Sequence, residues 1–167
     1  MSAPVQTAVQ IAWVTPSLEA TEKALTATLG AKKWIRMADV HFAPDACTHR
    51  GSPADFFANI SLSYLGDMQL ELIQPVTGES VYSEFLHEYP SGGLHHIAVE
   101  EPDPDHFDAA LATAAAAGTD IICQGTMPGG MRFAYLSNPA AGVPYLEIAY
   151  VPDEIKSFYD YIKQEQQ

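Results

Sequence analysis

The chain has 167 residues, 47% apolar and 17% charged, which suits one globular domain with a core of its own and excludes a disordered chain. Eight Lys and Arg stand against 21 Asp and Glu, a formal charge of −13 that argues against nucleic acid or an anionic membrane as the main partner. No apolar run approaches the roughly 18 residues of a membrane span, no targeting segment is visible, and Cys47 and Cys123 make no disulfide framework, so a soluble cytoplasmic protein is expected.

In chain order, "IAWVTPSLEATEKALTATLGA" predicts a short strand and then a helix that ends at Gly30. "KKWIRM" reads as a strand and "ADVHFAPDACTHRGSPAD" as a loop of the kind that sets specificity. "ISLSYLGDMQLELIQP" is a hairpin turning at Gly66-Asp67, and "VYSEFLHEYP" a connecting helix. "HIAVEEPDPDHFDAALATAAAAGTD" repeats the opening strand and helix, ending at Gly118. "DIICQG" is a strand, "RFAYLSNPAAGVPYLEIAYV" a second hairpin, and "PDEIKSFYDYIKQ" a C-terminal helix. Thr15 and Asp103 are the expected helix N-caps, Pro16 and Pro104 fit the first turns, and the glycines supply left-handed C-caps. Leu18, Thr21, Leu25 and Leu29 share a face of the first helix; Phe107, Leu111 and Ala114 do so in the second copy.

Thr15 to Asp103, Pro16 to Pro104 and Gly30 to Gly118 each span the same 88 positions (103 − 15). The chain is therefore written twice, as βαβββ modules over about residues 8–78 and 93–152, with the last helix over about 153–165. No linker separates the halves, which predicts one α+β domain across residues 1–167. Its mixed sheet should curve around a cavity and carry helices on the outer face.

Alternation along the strands then selects a polar set. Gln10 and Ala12 face away from Ile11 and Trp13, and His96 and Ala98 away from Ile97 and Val99. Glu71 and Glu147 lie likewise between large apolar neighbours on the last strand of each module. Gln10, Glu71, His96 and Glu147 thus fall on the concave side, with one nitrogen and three oxygens to offer a divalent ion such as Zn²⁺, Mn²⁺, Co²⁺ or Ni²⁺. The alternative is that these carboxylates are simply solvated strand ends. By the same alternation His95 points to the other face or the rim, where a structural or gating role against the substrate suits it better than ligation. Lys32, Lys33 and Arg36 read as solubilising charges. Arg132 is the best candidate to pair with a substrate carboxylate or phosphate, its alternative being an exposed strand-end charge.

The stretches "GLHHIAVE", "LELIQP" and "GVPYLEIAYV", set in two βαβββ modules, resemble the vicinal oxygen chelate superfamily of glyoxalase I, methylmalonyl-CoA epimerase, extradiol dioxygenases and bleomycin-resistance proteins, and most of all its epimerase branch. The resemblance implies one divalent metal ion at Gln10, Glu71, His96 and Glu147, a small carbonyl or acyl-thioester substrate, and a homodimer. It implies an isomerase, epimerase or lyase that moves a proton beside a carbonyl, with Glu147 as first candidate base and Glu71 as second. Epimerases of the family usually carry His at the position of Gln10, whereas some glyoxalases carry Gln. Some place a further Glu on the strand preceding the metal-binding one; "FFANISLSYLG" has none, which counts against strict methylmalonyl-CoA epimerisation. The alternatives are an iron-dependent oxygenase, which needs two His and a carboxylate and would require His95 to turn inward, and a metal-free binding protein.

Overall fold

A computed structural model describes residues 6–167. Its strands are β1 (Gln10–Val14), β2 (Ile35–Phe42), β3 (Cys47–His49), β4 (Ser52–Pro53), β5 (Phe56–Leu65), β6 (Met68–Thr77), β7 (Gly93–Glu101), β8 (Ile121–Thr126), β9 (Arg132–Ser137) and β10 (Tyr145–Tyr150). The helices are α1 (Leu18–Leu29), α2 (Val81–Glu88), α3 (Pro104–Ala116) and α4 (Asp153–Gln164). All ten strands join one curled, mixed sheet in the order β2-β5-β6-β1-β7-β10-β9-β8-β3-β4. The two modules are its halves, β2-β5-β6-β1 and β7-β10-β9-β8, joined where β1 and β7 pair antiparallel. In each, the first strand lies parallel to the last, so β1 lies between β6 and β7, and β7 between β1 and β10. The architecture is the α+β arrangement that the repeat predicts.

The stretch expected as a loop carries more structure than its composition suggests. It contains the end of β2 together with β3 and β4, and β3 pairs antiparallel with β8 at the far side of the sheet. One segment therefore leaves one sheet edge at Phe42 and covers the other from Cys47, drawing the two flanks together and shielding the β8 edge. Phe42, Phe56, Leu62, Tyr82 and Phe133 meet in the core inside the curl. A smaller core of Phe107, Ala134, Leu136 and Ile148 lies under α3.

The helix ends show why two copies of one pattern diverge. Asp103 caps α3 through the His106 amide, with Pro104 in the first turn. In α1 the cap is Ser17, which accepts from the Ala20 amide, and Pro16 precedes it. Thr15, expected as that cap, is buried instead, with its hydroxyl held by the Ser17 amide and the Thr21 hydroxyl. Gly30 takes the left-handed conformation at φ 82° and closes α1. Leu29, expected on the packed face, is exposed, and Leu18 is the buried residue of α1. Across the open side of the curl lies α4, with Ile162 wholly buried and Phe158 and Tyr159 against the inner core. Cys47 and Cys123 are buried free thiols, and among the described residues no helix is long and apolar enough to cross a membrane.

At the β3–β8 seam a side chain on Gly125 would meet Cys47 Sγ at 2.5 Å and the Ala46 carbonyl at 3.1 Å. Gly125→Val should therefore destabilise the fold by about 1–3 kcal/mol. Amide exchange should quicken first at Arg50 and Thr126, which donate to Ile122 and Ala46 across that seam. An unchanged melting temperature would show that the crossing segment contributes little.

Candidate metal centre

The site is built from two adjacent rows that run across the four central strands. In one row Glu71 of β6, Ala12 of β1 and His96 of β7 stand side by side. In the next, Gln69, Gln10, Ala98, Glu147 and Tyr135 follow one another from β6 to β9. Directly opposed residues share a face, so both rows project into the curl. β1 and β7 each supply one polar residue and one alanine, out of phase by a row, while β6 supplies Glu71 and Gln69 and β10 supplies Glu147. Ala12 and Ala98, both buried, form a floor too shallow to keep the four polar side chains apart.

They converge on one atom. His96 Nε2 lies 3.0 Å from Gln10 Oε1, 2.8 Å from a Glu147 carboxylate oxygen and 3.5 Å from a Glu71 carboxylate oxygen. Ligand atoms of Glu71, His96 and Glu147 all lie within 4.8 Å of one another. Gln10, His96 and Glu147 are buried, whereas the Glu71 side chain keeps 15% of its surface exposed. All four residues selected by alternation are thus brought together.

His95 is not where alternation puts it. Ala12 pairs with His96 while Trp13 pairs with Leu94, so His95 is the extra residue of a β-bulge. A bulge interrupts the two-residue period, and both imidazoles turn inward and are buried. His95 does not join the carboxylates. Its Nδ1 lies 2.8 Å from His96 Nδ1, on the side of that ring away from Nε2, in a box of Tyr82, Phe85, Tyr135 and Tyr145. Burial, with the charge of His96 next to it, holds the His95 pKa well below the ordinary imidazole value. The neutral ring accepts a hydrogen bond from the His96 Nδ1–H and so leaves Nε2 directed at the site.

Gln10 is fixed in the same manner by residues that sequence reading passed over. Its Nε2 donates to Gln69 Oε1 at 2.6 Å, and Gln69 Nε2 donates to the Tyr64 hydroxyl at 3.0 Å. This chain aims Gln10 Oε1 at His96. Gln69 was open to detection, since it lies two residues before Glu71 and shares its face. Arg132 stands elsewhere. Its guanidinium pairs with Asp108 at 2.8 Å and lies 4.4 Å from the Phe107 ring centroid, on the helix-covered face of β9. Phe133 and Tyr135 point inward, so Arg132 must point out.

Burial disfavours charge on His96, yet Glu147 and Glu71 outweigh it and lift the imidazole to about 9. Burial also raises the Glu71 pKa, with His96 opposing and Glu147 adding to the rise. Two carboxylates share one cationic partner, and no Lys or Arg reaches them. Three oxygens and one imidazole nitrogen around this uncompensated charge fit a divalent ion.

Above the pair opens a cavity of about 380 Å³. Ile60 and Leu62 of β5 and Phe133 of β9 form its walls, and Phe158 and Tyr159 of α4 its roof. A smaller, polar cleft of about 190 Å³ reaches Gln10 and Glu147 past Tyr159, with Asp67, Glu100 and Asp160 in its lining. Tyr82 and Tyr135, hydroxyl to hydroxyl at 2.6 Å, close the back of the main cavity, and burial keeps both phenols protonated.

Residues 9–135 match the family profile of the Glyoxalase/Bleomycin resistance protein/Dioxygenase superfamily. Similar solved structures include a variant of Streptomyces coelicolor methylmalonyl-CoA epimerase in complex with 2-nitronate-propionyl-CoA, 18% identical with a TM-score of 0.64 over 90% of this chain and 97% of that one. Methylmalonyl-CoA epimerase from Mycobacterium tuberculosis is 14% identical with a TM-score of 0.61 over 94% and 96%. A hypothetical protein from Bacillus halodurans C-125 is 17% identical with a TM-score of 0.63 over 90% and 97%. At such identities the likeness is one of fold. No curated protein matches the sequence.

Two outcomes follow from this geometry. His96→Ala should abolish tight Co²⁺ binding in calorimetry, whereas His95→Phe or Gln69→Leu should weaken it by roughly 10- to 100-fold, because they release a ligand without removing it. Loss of the ion in His95→Phe but not His96→Ala would contradict the assignment. In metal-free protein, the raised His96 pKa contributes stability that is complete below the unfolded value near 6.5 and is lost as pH rises through about 9. Denaturant titrations should show that decline, and Zn²⁺ should reverse it, because metal binding displaces the proton. Metal-free stability that is flat across this range would count against the buried charge cluster.

Proposed function

The chain belongs to the Glyoxalase/Bleomycin resistance protein/Dioxygenase superfamily, and from that premise we propose that it is a divalent-metal-dependent isomerase, epimerase or lyase that moves a proton at a carbon next to a carbonyl. The observation that carries this reading is the pair of carboxylates flanking His96 Nε2 at the floor of an otherwise apolar cavity. A proton beside a carbonyl is weakly acidic, and its removal near neutral pH needs a positioned base and stabilisation of the enolate oxygen. The ion, when bound by Gln10, Glu71, His96 and Glu147, supplies Lewis-acid stabilisation of that oxygen.

The chain supplies the proton transfer. Glu147 lies 0.7 Å nearer to His96 Nε2 than Glu71 does (3.5 − 2.8) and is 5% exposed against 15%. Burial of its carboxylate also raises the Glu71 pKa, which makes it a stronger base than an ordinary carboxylate. These features favour Glu71 as the group that takes and returns the proton and Glu147 as the firmer ligand, reversing the order suggested by sequence position. Tyr135, protonated and opposite Glu147, offers an uncharged wall that keeps water from the reacting face. The oxygenase reading loses support because His95, although turned inward, presents its Nδ1 to His96 and no atom to the carboxylates.

Glu71→Gln keeps an oxygen for the ion but cannot accept a proton. It should retain bound metal and exchange substrate deuterium about 10²- to 10⁴-fold more slowly. Glu147→Gln removes a charge from the carboxylate nearer to His96 Nε2 and should weaken metal binding more than Glu71→Gln does. A Glu71→Gln protein that holds its ion and exchanges at the unaltered rate would overturn this assignment, and consumption of oxygen with substrate would overturn the reaction class.

A further inference from the structure

The cavity and the distribution of cations narrow the substrate of the site proposed above. The wall over Glu71 and Glu147 is made by aliphatic, methionine and aromatic side chains, with three tyrosines, Tyr82, Tyr135 and Tyr159, as its other polar groups. No Lys or Arg lines it. Seven of the eight cationic side chains are committed to carboxylates: Lys23, Lys33, Arg36, Arg50, Arg132, Lys156 and Lys163 pair with Glu19, Glu165, Glu22, Glu84, Asp108, Glu100 and Asp67. The eighth, Lys32, is exposed on the loop after α1. Lys163 stands at the smaller cleft beside Asp67, Glu100 and Asp160, so that approach is acidic as well.

An anionic substrate would have to shed its water in a site without a counter-charge, next to two carboxylates and in a chain of formal charge −13. A divalent ion offsets the two carboxylates and leaves nothing over for a further anionic group away from the ion. The cavity's 380 Å³ is of the size that receives a small organic molecule. Phe42, Phe133, Tyr135 and Phe158 on its walls suit a flat ring or a branched hydrocarbon.

We propose that the substrate is an uncharged, mainly apolar carbonyl compound taken up whole into this cavity, and not a carboxylate or a CoA ester. This rests on the proton-transfer reading for the reaction but not for the binding. The test uses the full chain loaded with Co²⁺ and three probes in calorimetry. These are 2-hydroxypropiophenone, which is uncharged and bears a proton beside its carbonyl, its para-carboxylate, and methylmalonyl-CoA. The uncharged ketone should bind at least roughly tenfold more tightly than its carboxylate, with no heat from the CoA ester. Met131→Lys places a cation at the half-buried mouth and should shift that ratio about tenfold toward the carboxylate; Met37→Lys serves the same purpose if the first variant does not fold. The proposal is overturned if the carboxylate or the CoA ester binds as tightly as the ketone, or if none of the three binds. NMR exchange in deuterium oxide separates the two claims. A ketone that binds without exchanging leaves the ligand class standing and ends the proton-transfer reading. Exchange on methylmalonyl-CoA alone does the reverse.

Discussion

Two carboxylates held around a single imidazole nitrogen carry more negative charge than the folded chain brings to them, and much of the inner sheet is arranged about that imbalance. Removing Glu71 and Glu147 from water is costly unless a cation meets them. The protein offers one, His96, lifted to about 9 by their presence. It then directs further polar groups at the same point. Gln69 and Tyr64 orient Gln10, and neutral His95 accepts a hydrogen bond from the rear N–H of His96. Such a cluster can close only where the side chains between its members are small, which is the part played by Ala12 and Ala98 between the four ligands. A larger residue at either position would push the rows apart.

The environment of the cluster is as one-sided as its charge. On the cavity side the walls are hydrocarbon and aromatic ring, roofed by Ile155, Phe158 and Tyr159 of α4. Low polarity there strengthens every interaction the carboxylates make with a bound ion and raises the basicity of Glu71. On the outer side seven of the eight cations are held in ion pairs with carboxylates away from the two carboxylates of the site, which add little stability individually, and the eighth, Lys32, is exposed on the loop after α1. Superfamily membership by itself leaves the chemistry open; the carboxylate pair and the cation-free wall narrow it here.

Much of this was legible in the sequence where a rule acts locally. The 88-residue repeat paired the strands, and alternation within each strand chose Gln10, Glu71, His96 and Glu147, because a strand's side chains must alternate whatever its partners do. The same rule, applied more strictly, sends Arg132 outward with Ala134 and puts Gln69 beside Glu71. His95 escaped it because a bulge arises from pairing between strands, here the slip opposite Ala12 and Trp13, and no feature of "GLHHIAVE" announces the extra residue. The crossing of Cys47–His49 to β8 was hidden for a related reason: contacts between distant segments leave no period in the chain. The α1 cap moved to Ser17 because two capping residues, Thr15 and Ser17, flank Pro16 and tertiary burial claimed Thr15.

The central claim is that one ion is held by a single imidazole and three oxygens. X-ray absorption at the Zn edge of the full chain, loaded with one equivalent of Zn²⁺, tests it most directly. The account predicts a shell of nitrogen and oxygen at about 2.0–2.2 Å, with the outer scattering of one imidazole and no sulfur. A second imidazole would place His95 on the metal, sulfur at about 2.3 Å would place Cys47 or Cys123 there, and either result would contradict the site described.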